Sequence, residues 1–254
     1  ASAGGNEEIG HNNVMRWQMD DDLFFVASSS NDKIKAEDIV PNLARIALGR
    51  PYQMPPKTVA VESSILDGYV GQYQLTEGNT LIVSRGNDNE LLFTGEGQEA
   101  FDLLFQNELG IDVQAAQSAV IKYLNTSSGP QLAKWKTRMT QSLGEFKDLK
   151  VIGTAAPLGN GEPWTYVSFE FERGSALTRW IVSPAGALEA ALLETDPPYV
   201  IFLPERENQF APFSLSAQPS VQGIEFSTDT EGNIKMMISV PTGQVDATKI
   251  ISES

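Results

Sequence analysis

Ser30-Asn31-Asp32-Lys33 has the spacing at which a lysine amine can take the proton of a serine hydroxyl, the chemistry of a serine nucleophile. That chemistry asks for the serine at a helix start. Here the string follows a strand-like run in a polar stretch, and a chain of 254 residues with many serines meets such a string by chance. His11 is the one residue of a type that titrates near neutrality. It could touch a substrate carboxylate or an oxyanion; the plainer alternative is an exposed histidine at a strand end. With one histidine and no cysteine, multi-histidine and thiolate metal sites, disulfides and cysteine nucleophiles are all excluded. Asp20-Asp21-Asp22 lacks the spaced oxygens and terminal glutamate of a calcium loop, so a solvated hairpin tip is expected. Gly95-Glu96-Gly97 lacks the third glycine of a phosphate loop, and Glu96 would repel phosphate; it reads as a turn. Neither a metal nor a cofactor is expected.

A second grouping is apolar. Trp164, Tyr166, Phe169, Phe171 and Trp180 could line a ligand pocket, with Glu170, Arg173 and Arg179 supplying its polar contacts. Core packing is the commoner fate of aromatic residues on a strand, and it stands beside the pocket as the alternative.

The elements that would position these residues follow from periodicity. Val14 to Met19 alternates as a strand does, and Leu23 to Ala27 is a continuous apolar run, as in a strand covered on both faces. From Lys35 the pattern turns helical, with Ile39, Leu43, Ile46 and Ala47 on one face, Pro41 in the first turn and Gly49 at the close. Pro51-Tyr52-Gln53-Met54-Pro55-Pro56 is an extended linker. Short strands follow at Tyr69 to Leu75, Thr80 to Ser84 and Glu90 to Thr94, as an antiparallel meander. Helical spacing then covers 99–106, 112–124 and 131–142. Long strands return at Leu149 to Thr154, Trp164 to Glu172 and Leu177 to Ser183. A last meander runs through Tyr199 to Leu203, Gln222 to Thr228, Ile234 to Val240 and Asp246 to Ile251. Short strands on both sides of a helix-and-long-strand segment indicate one domain inserted in another, leaving at Gly95-Glu96-Gly97 and returning at Asp196-Pro197-Pro198. Residues 66–98 and 199–251 are then expected to share one barrel, because neither half closes its own edges.

Charge narrows the partners. Eighteen basic against 33 acidic residues give a net charge of −15, which repels phosphate backbones and anionic lipid. Nucleic-acid and membrane partners are not expected, and no stretch has the length and apolar character of a membrane-spanning helix. A chain opening on Ala1-Ser2-Ala3 rather than methionine reads as processed or as a fragment.

Three stretches carry a family likeness. Ile9-Gly10-His11-Asn12-Asn13, the strand pair ending in Ala27-Ser28-Ser29-Ser30-Asn31 and the helix to Gly49 resemble the end of the catalytic domain of class C-like β-lactamases, esterases and penicillin-binding D-peptidases. In that family a His/Lys-x-Gly strand lies beside the catalytic serine. His11 and Asn13 stand at the motif's place, with Asn13 where glycine is usual, and a side chain there narrows the acyl groove. Leu66-Asp67-Gly68-Tyr69-Val70-Gly71-Gln72-Tyr73 is similar to the Tyr-x-Gly-x-Tyr opening of the lipocalin-like domain often appended to these hydrolases. Phe202-Leu203-Pro204, Asn208-Gln209-Phe210 and Ile224-Glu225-Phe226 are similar to its closing half. Residues 99–195 resemble, more loosely, the helix-and-sheet cone of nuclear transport factor-like domains. The resemblance implies an α+β chain of four parts: a catalytic-domain remnant (1–50), a linker (51–65), a discontinuous lipocalin-like barrel (66–98 with 199–251) and an inserted cone (99–195). It also implies a non-catalytic accessory region of a periplasmic or secreted serine hydrolase. The partner would be the N-terminal catalytic part of the same protein, which would take a small-molecule amide or ester substrate. No catalytic residue is expected in this chain itself; the speculative ligand pocket is Trp164, Tyr166, Phe169, Arg179 and Trp180. The alternative from another class is a stand-alone protein that binds a small ligand in its barrel or cone, or serves a structural role.

Overall fold

Alternation decides the first element pair. In β2 (Asn12–Gln18) and β3 (Leu23–Ser29) every second residue falls on the same face, and the strands pair with Met15 opposite Val26 and Trp17 opposite Phe24. A short strand β1 (Ser2–Gly4) adds to the other edge of β2 and completes a three-stranded antiparallel sheet. Helix α1 (Ala36–Ala47) packs against β2 and β3 and buries Val40 and Asn42. It stops in a Schellman arrangement: Gly49 takes φ 64°, its N–H bonds to the Ile46 carbonyl, and the Arg50 N–H bonds to that of Arg45. Pro41 lies beyond the first turn, where the sequence had suggested it, so the helix lacks one interior N–H donor.

The computed structural model describes residues 2–4, 12–18, 21–29, 36–50, 54–87, 89–105, 107, 110–126, 130–155, 163–183, 185–194, 196–213 and 219–250. The chain divides into two compact units, Ala1–Pro56 with Phe213–Ala217, and Lys57–Pro212 with Gln218–Ser254. The first unit holds the sheet and helix just described. The fold as a whole is α+β, mostly strand, with an eight-stranded closed antiparallel barrel.

The first helix of the second unit is α2 (Ser63–Tyr69), so Tyr69, where a strand was expected to begin, is helical and the strand starts at Gly71. Leu66 projects into the barrel core, and helix geometry turns that residue inward at an end no strand covers. Strands β4 (Gly71–Thr76), β5 (Asn79–Arg85) and β6 (Leu91–Glu96) form the first meander. Strands β11 (Val200–Pro204), β12 (Gln209–Phe213), β13 (Gly223–Thr228), β14 (Ile234–Val240) and β15 (Gly243–Lys249) form the second. The two join at both seams. Val200 pairs with Phe93 across β11 and β6, and Lys249 pairs with Tyr73 across β15 and β4. Inside, Tyr73, Leu81, Phe93, Phe202, Phe210, Phe226, Met236 and Ile238 are almost wholly buried. Phe93 and Phe202 lie 4.4 Å apart, and Tyr69 stacks on Phe226 at 4.1 Å and 8°. The Tyr73 hydroxyl donates to the Tyr69 carbonyl at 2.7 Å.

Between the meanders come α3 (Gln98–Leu104), α4 (Val113–Thr126) and α5 (Pro130–Leu143), then β7 (Phe146–Ala155), β8 (Trp164–Phe171), β9 (Gly174–Val182) and β10 (Leu188–Glu194). The four strands form one antiparallel sheet in the order β10-β9-β8-β7. Val120, Leu124 and Met139 from α4 and α5 pack with Val167, Phe169, Phe171 and Trp180 on one face. Helix α3 belongs to two cores at once. Ala100 and Leu104 enter the barrel, while Phe101 packs with Ile152 and Tyr166. Gly153 makes that possible, since a Cβ there would sit 2.3 Å from the Phe101 ring. The Gln98 amide reinforces the joint by exchanging hydrogen bonds with the Thr154 backbone, both at 2.9 Å. Gly97 starts the helix at φ 90°, where a side chain would strike Asn79 and the Gly78 carbonyl. Among the described residues no helix is long and apolar enough to cross a membrane.

Candidate functional site

His11 and Ser30 to Lys33 lie outside the described residues. Asn13 is exposed, pairs with Ser28, and accepts a 2.5 Å hydrogen bond from the Ser28 hydroxyl. Leu23, Phe25, Ala27 and Ser29 are half-buried, while their neighbours Phe24, Val26 and Ser28 are exposed. The run Leu23 to Ala27 is therefore covered on one face, not two. The open face carries Met15 and Trp17, each 47% exposed, with Phe24 at 63% and Val26 at 57%. The register places these four side by side as cross-strand pairs, a contiguous apolar patch. At the hairpin, Asp21 accepts from the Gln18 amide at 2.5 Å. Among the described residues no group of three potential ligands could hold a metal ion.

The four-stranded sheet divides the five pocket candidates between its faces. Phe169 and Trp180 lie on the helix-covered face, their rings 6.1 Å apart and fully buried. The Trp180 indole donates to the Thr178 hydroxyl at 2.7 Å, which donates in turn to the Val167 carbonyl at 2.9 Å. That face is packed core. Trp164, Tyr166 and Arg179 lie on the opposite face, since Tyr166 pairs with Arg179 and Thr165 with Trp180. The Arg179 guanidinium sits 4.4 Å above the Trp164 ring, and its Nε lies 2.6 Å from Glu194 Oε1. This is an ion pair by distance, although the Nε–H is not aimed as a regular hydrogen bond. Burial raises the Tyr166 phenol above its usual range; Arg179 opposes the rise and Glu194 adds to it. The carboxylate and the indole together satisfy the cation, which makes the cluster a cross-link between β8, β9 and β10. Glu170 accepts from Ser168 at 2.6 Å, and Arg173 donates to the Ser142 carbonyl at 3.2 Å near the end of α5. Neither converges on Arg179.

A cavity of about 680 Å³ opens where α3 meets the barrel. Leu75, Leu103, Val240 and Val245 supply its apolar surface, and all four also pack against the barrel core. Glu99 and Asp102 are its charged side chains. Glu99, Asp102 and Leu103 share one stripe of α3 by their spacing at i, i+3 and i+4. That stripe was readable in the sequence once the helix was placed. Glu194 was not readable in that way: Leu188 to Glu194 is rich in leucine, alanine and glutamate, which favour helix, and pairing with β9 overrides that preference. The chain matches no protein-family model, no curated protein and no solved structure.

Proposed function

We propose that this chain is the non-catalytic C-terminal accessory region of a β-lactamase-family serine hydrolase, periplasmic or secreted, whose catalytic part covers the open face of the three-stranded sheet. The observation that carries the reading is the exposed apolar patch of Met15, Phe24 and Val26, opposite a face already covered by α1. Burying such a side chain fully gains roughly 1.5–3 kcal/mol each, so a helix with an apolar stripe is a suitable cover. The barrel seam lends support to the lipocalin-like part. Tyr69 and Tyr73 of the Tyr-x-Gly-x-Tyr opening bond to each other there, and Gly71, at φ 147°, leaves room for the Lys249 side chain. Helices α4 and α5 laid on one four-stranded sheet are consistent with the cone.

In the intact protein the catalytic part would provide the serine whose hydroxyl attacks an amide or ester carbonyl, the base that takes its proton, and the acyl-serine that water hydrolyses. This chain would shape or cover the entrance to that site. The native polypeptide provides the test, through its intact mass, the sequence adjoining Ala1, and labelling with a fluorescent penicillin or a fluorophosphonate. A labelled Ser-x-x-Lys stretch joined to this chain, or held to it and released by Trp17→Asp with Phe24→Asp, supports the reading. Label on this chain alone that disappears in Ser30→Ala overturns it, as does a native polypeptide with no labelled partner.

A further inference from the structure

We infer that the cavity between α3 and the barrel mouth binds a small organic cation with an apolar body. The inference does not depend on the partner proposed for the three-stranded sheet. The barrel interior is packed core: Phe93, Phe202, Phe210, Phe226 and Met236 are buried there in one cluster, and Leu66 and Leu104 add to it. The cavity of about 680 Å³ lies outside that core, and its volume is within the range of small-molecule sites.

Its chemistry has two parts. Leu75 and Leu103 with Val240 and Val245 form an apolar floor that continues into the barrel core. On the α3 side stand Glu99 and Asp102, and among the described residues no lysine or arginine lines the cavity. Both carboxylates have neutral partners. Glu99 accepts from the Thr76 hydroxyl at 2.6 Å, and Asp102 accepts from the Gln98 amide at 2.8 Å. An apolar surface beside two carboxylates held by uncharged groups complements an ammonium on a hydrocarbon body. The chain's net charge of −15 adds a long-range attraction for cations and a penalty for anions.

The test uses the full chain, labelled with ¹⁵N, titrated with octylammonium chloride, 1-octanol and sodium octanoate below their micelle concentrations. Octylammonium should bind tightest and octanoate weakest, with amide shifts centred on Leu75, Leu103, Val240 and Val245. Exposed rim charges contribute modestly, so Glu99→Gln with Asp102→Asn should weaken octylammonium about five-fold and leave octanol unchanged. Both positions are exposed, and an unaltered spectrum of the free variant confirms its fold. Added salt should reproduce the loss in the unsubstituted chain. Octanoate binding as tightly as octylammonium, equal affinity for the amine and the alcohol, shifts centred elsewhere, or no binding of the amine would each overturn the inference.

Discussion

The barrel and the three-stranded sheet are built from the same antiparallel pairing, yet they solve the problem of apolar faces in opposite ways. The barrel pairs its outer strands with each other, β6 to β11 and β4 to β15, and turns Tyr73, Leu81, Phe93, Phe202, Phe210, Phe226, Met236 and Ile238 toward one shared interior. The sheet has three described strands and one helix, so α1 covers one face while Phe24 and Val26 stay more than half exposed on the other. Closure makes the barrel complete in itself. The open sheet is incomplete by the same physical standard, and that contrast is what makes it the place to look for a partner.

The comparison can be attacked first through α3, where the effect should be largest. Replacing 107–196 by a short glycine-serine linker keeps Ala100 and Leu104 in the barrel, and the product should unfold in one cooperative step by circular dichroism. Extending the excision back to Gln98 removes both side chains from the core and should abolish that step. Equal behaviour of the two deletions would mean that α3 is not part of the barrel's closure. A smaller loss is expected for Phe226→Ala. This buried ring stacks on Tyr69 and meets Phe210 edge-on at 5.6 Å, so about 3–5 kcal/mol should disappear from the urea-unfolding free energy.

Tyr73 sharpens the contrast through pH. Burial, with a smaller contribution from Tyr69, holds its phenol well above the ordinary value of 10.0. Between that value and the folded one, the unfolded chain releases a proton that the folded chain keeps. The contribution is therefore intact below pH 10 and is lost as pH rises beyond it. Tyr73→Phe should cost about 1 kcal/mol at pH 7, the value of its hydrogen bond to Tyr69, and should flatten the fall in urea midpoint between pH 9 and 11. An unchanged alkaline slope would assign that titration to another group. The smallest effect belongs to the open face: Phe24→Ser, at 63% exposure, should change the stability of the isolated chain by no more than about 0.5 kcal/mol. A loss of 2 kcal/mol there would show that the face is already covered within the chain.

Several of these features could be read from the sequence because their signals are local. Alternation exposed the long strand from Trp164, turn residues marked most hairpins, and helical spacing found α3, α4 and α5 within a few residues. Other features depend on contacts that a linear reading does not contain. Strand β10 has a helix-like composition, and β12 is brief and includes Pro212. Tyr69 ends a helix because Leu66 must plug the barrel. The pocket candidates failed to converge for a simpler reason. Trp164 and Trp180 fit one strand pattern, but pairing puts Thr165, not Trp164, opposite Trp180, and that single step sends the two indoles to different faces. The cavity on α3 needed residues from β4, α3, β14 and β15 together, and only the closed barrel makes them neighbours.

The seam between β15 and β4 also sets a clock. Lys249 meets Tyr73 and donates its ammonium proton to the Gly68 carbonyl at 2.7 Å, so the last barrel strand is required to complete the first. On a ribosome adding about 5–20 residues per second, the interval from β4 to β15 lasts roughly ten to thirty seconds. Through that time the β4 edge of the first meander stays open, waiting for β15, while the β6 edge waits only until β11 emerges. Helices α4 and α5 and the sheet from β7 to β10 emerge inside the interval and make their contacts within a shorter stretch of chain. The inserted segment is thus the first large piece of this unit able to fold during synthesis, and the barrel that encloses it in sequence is the last.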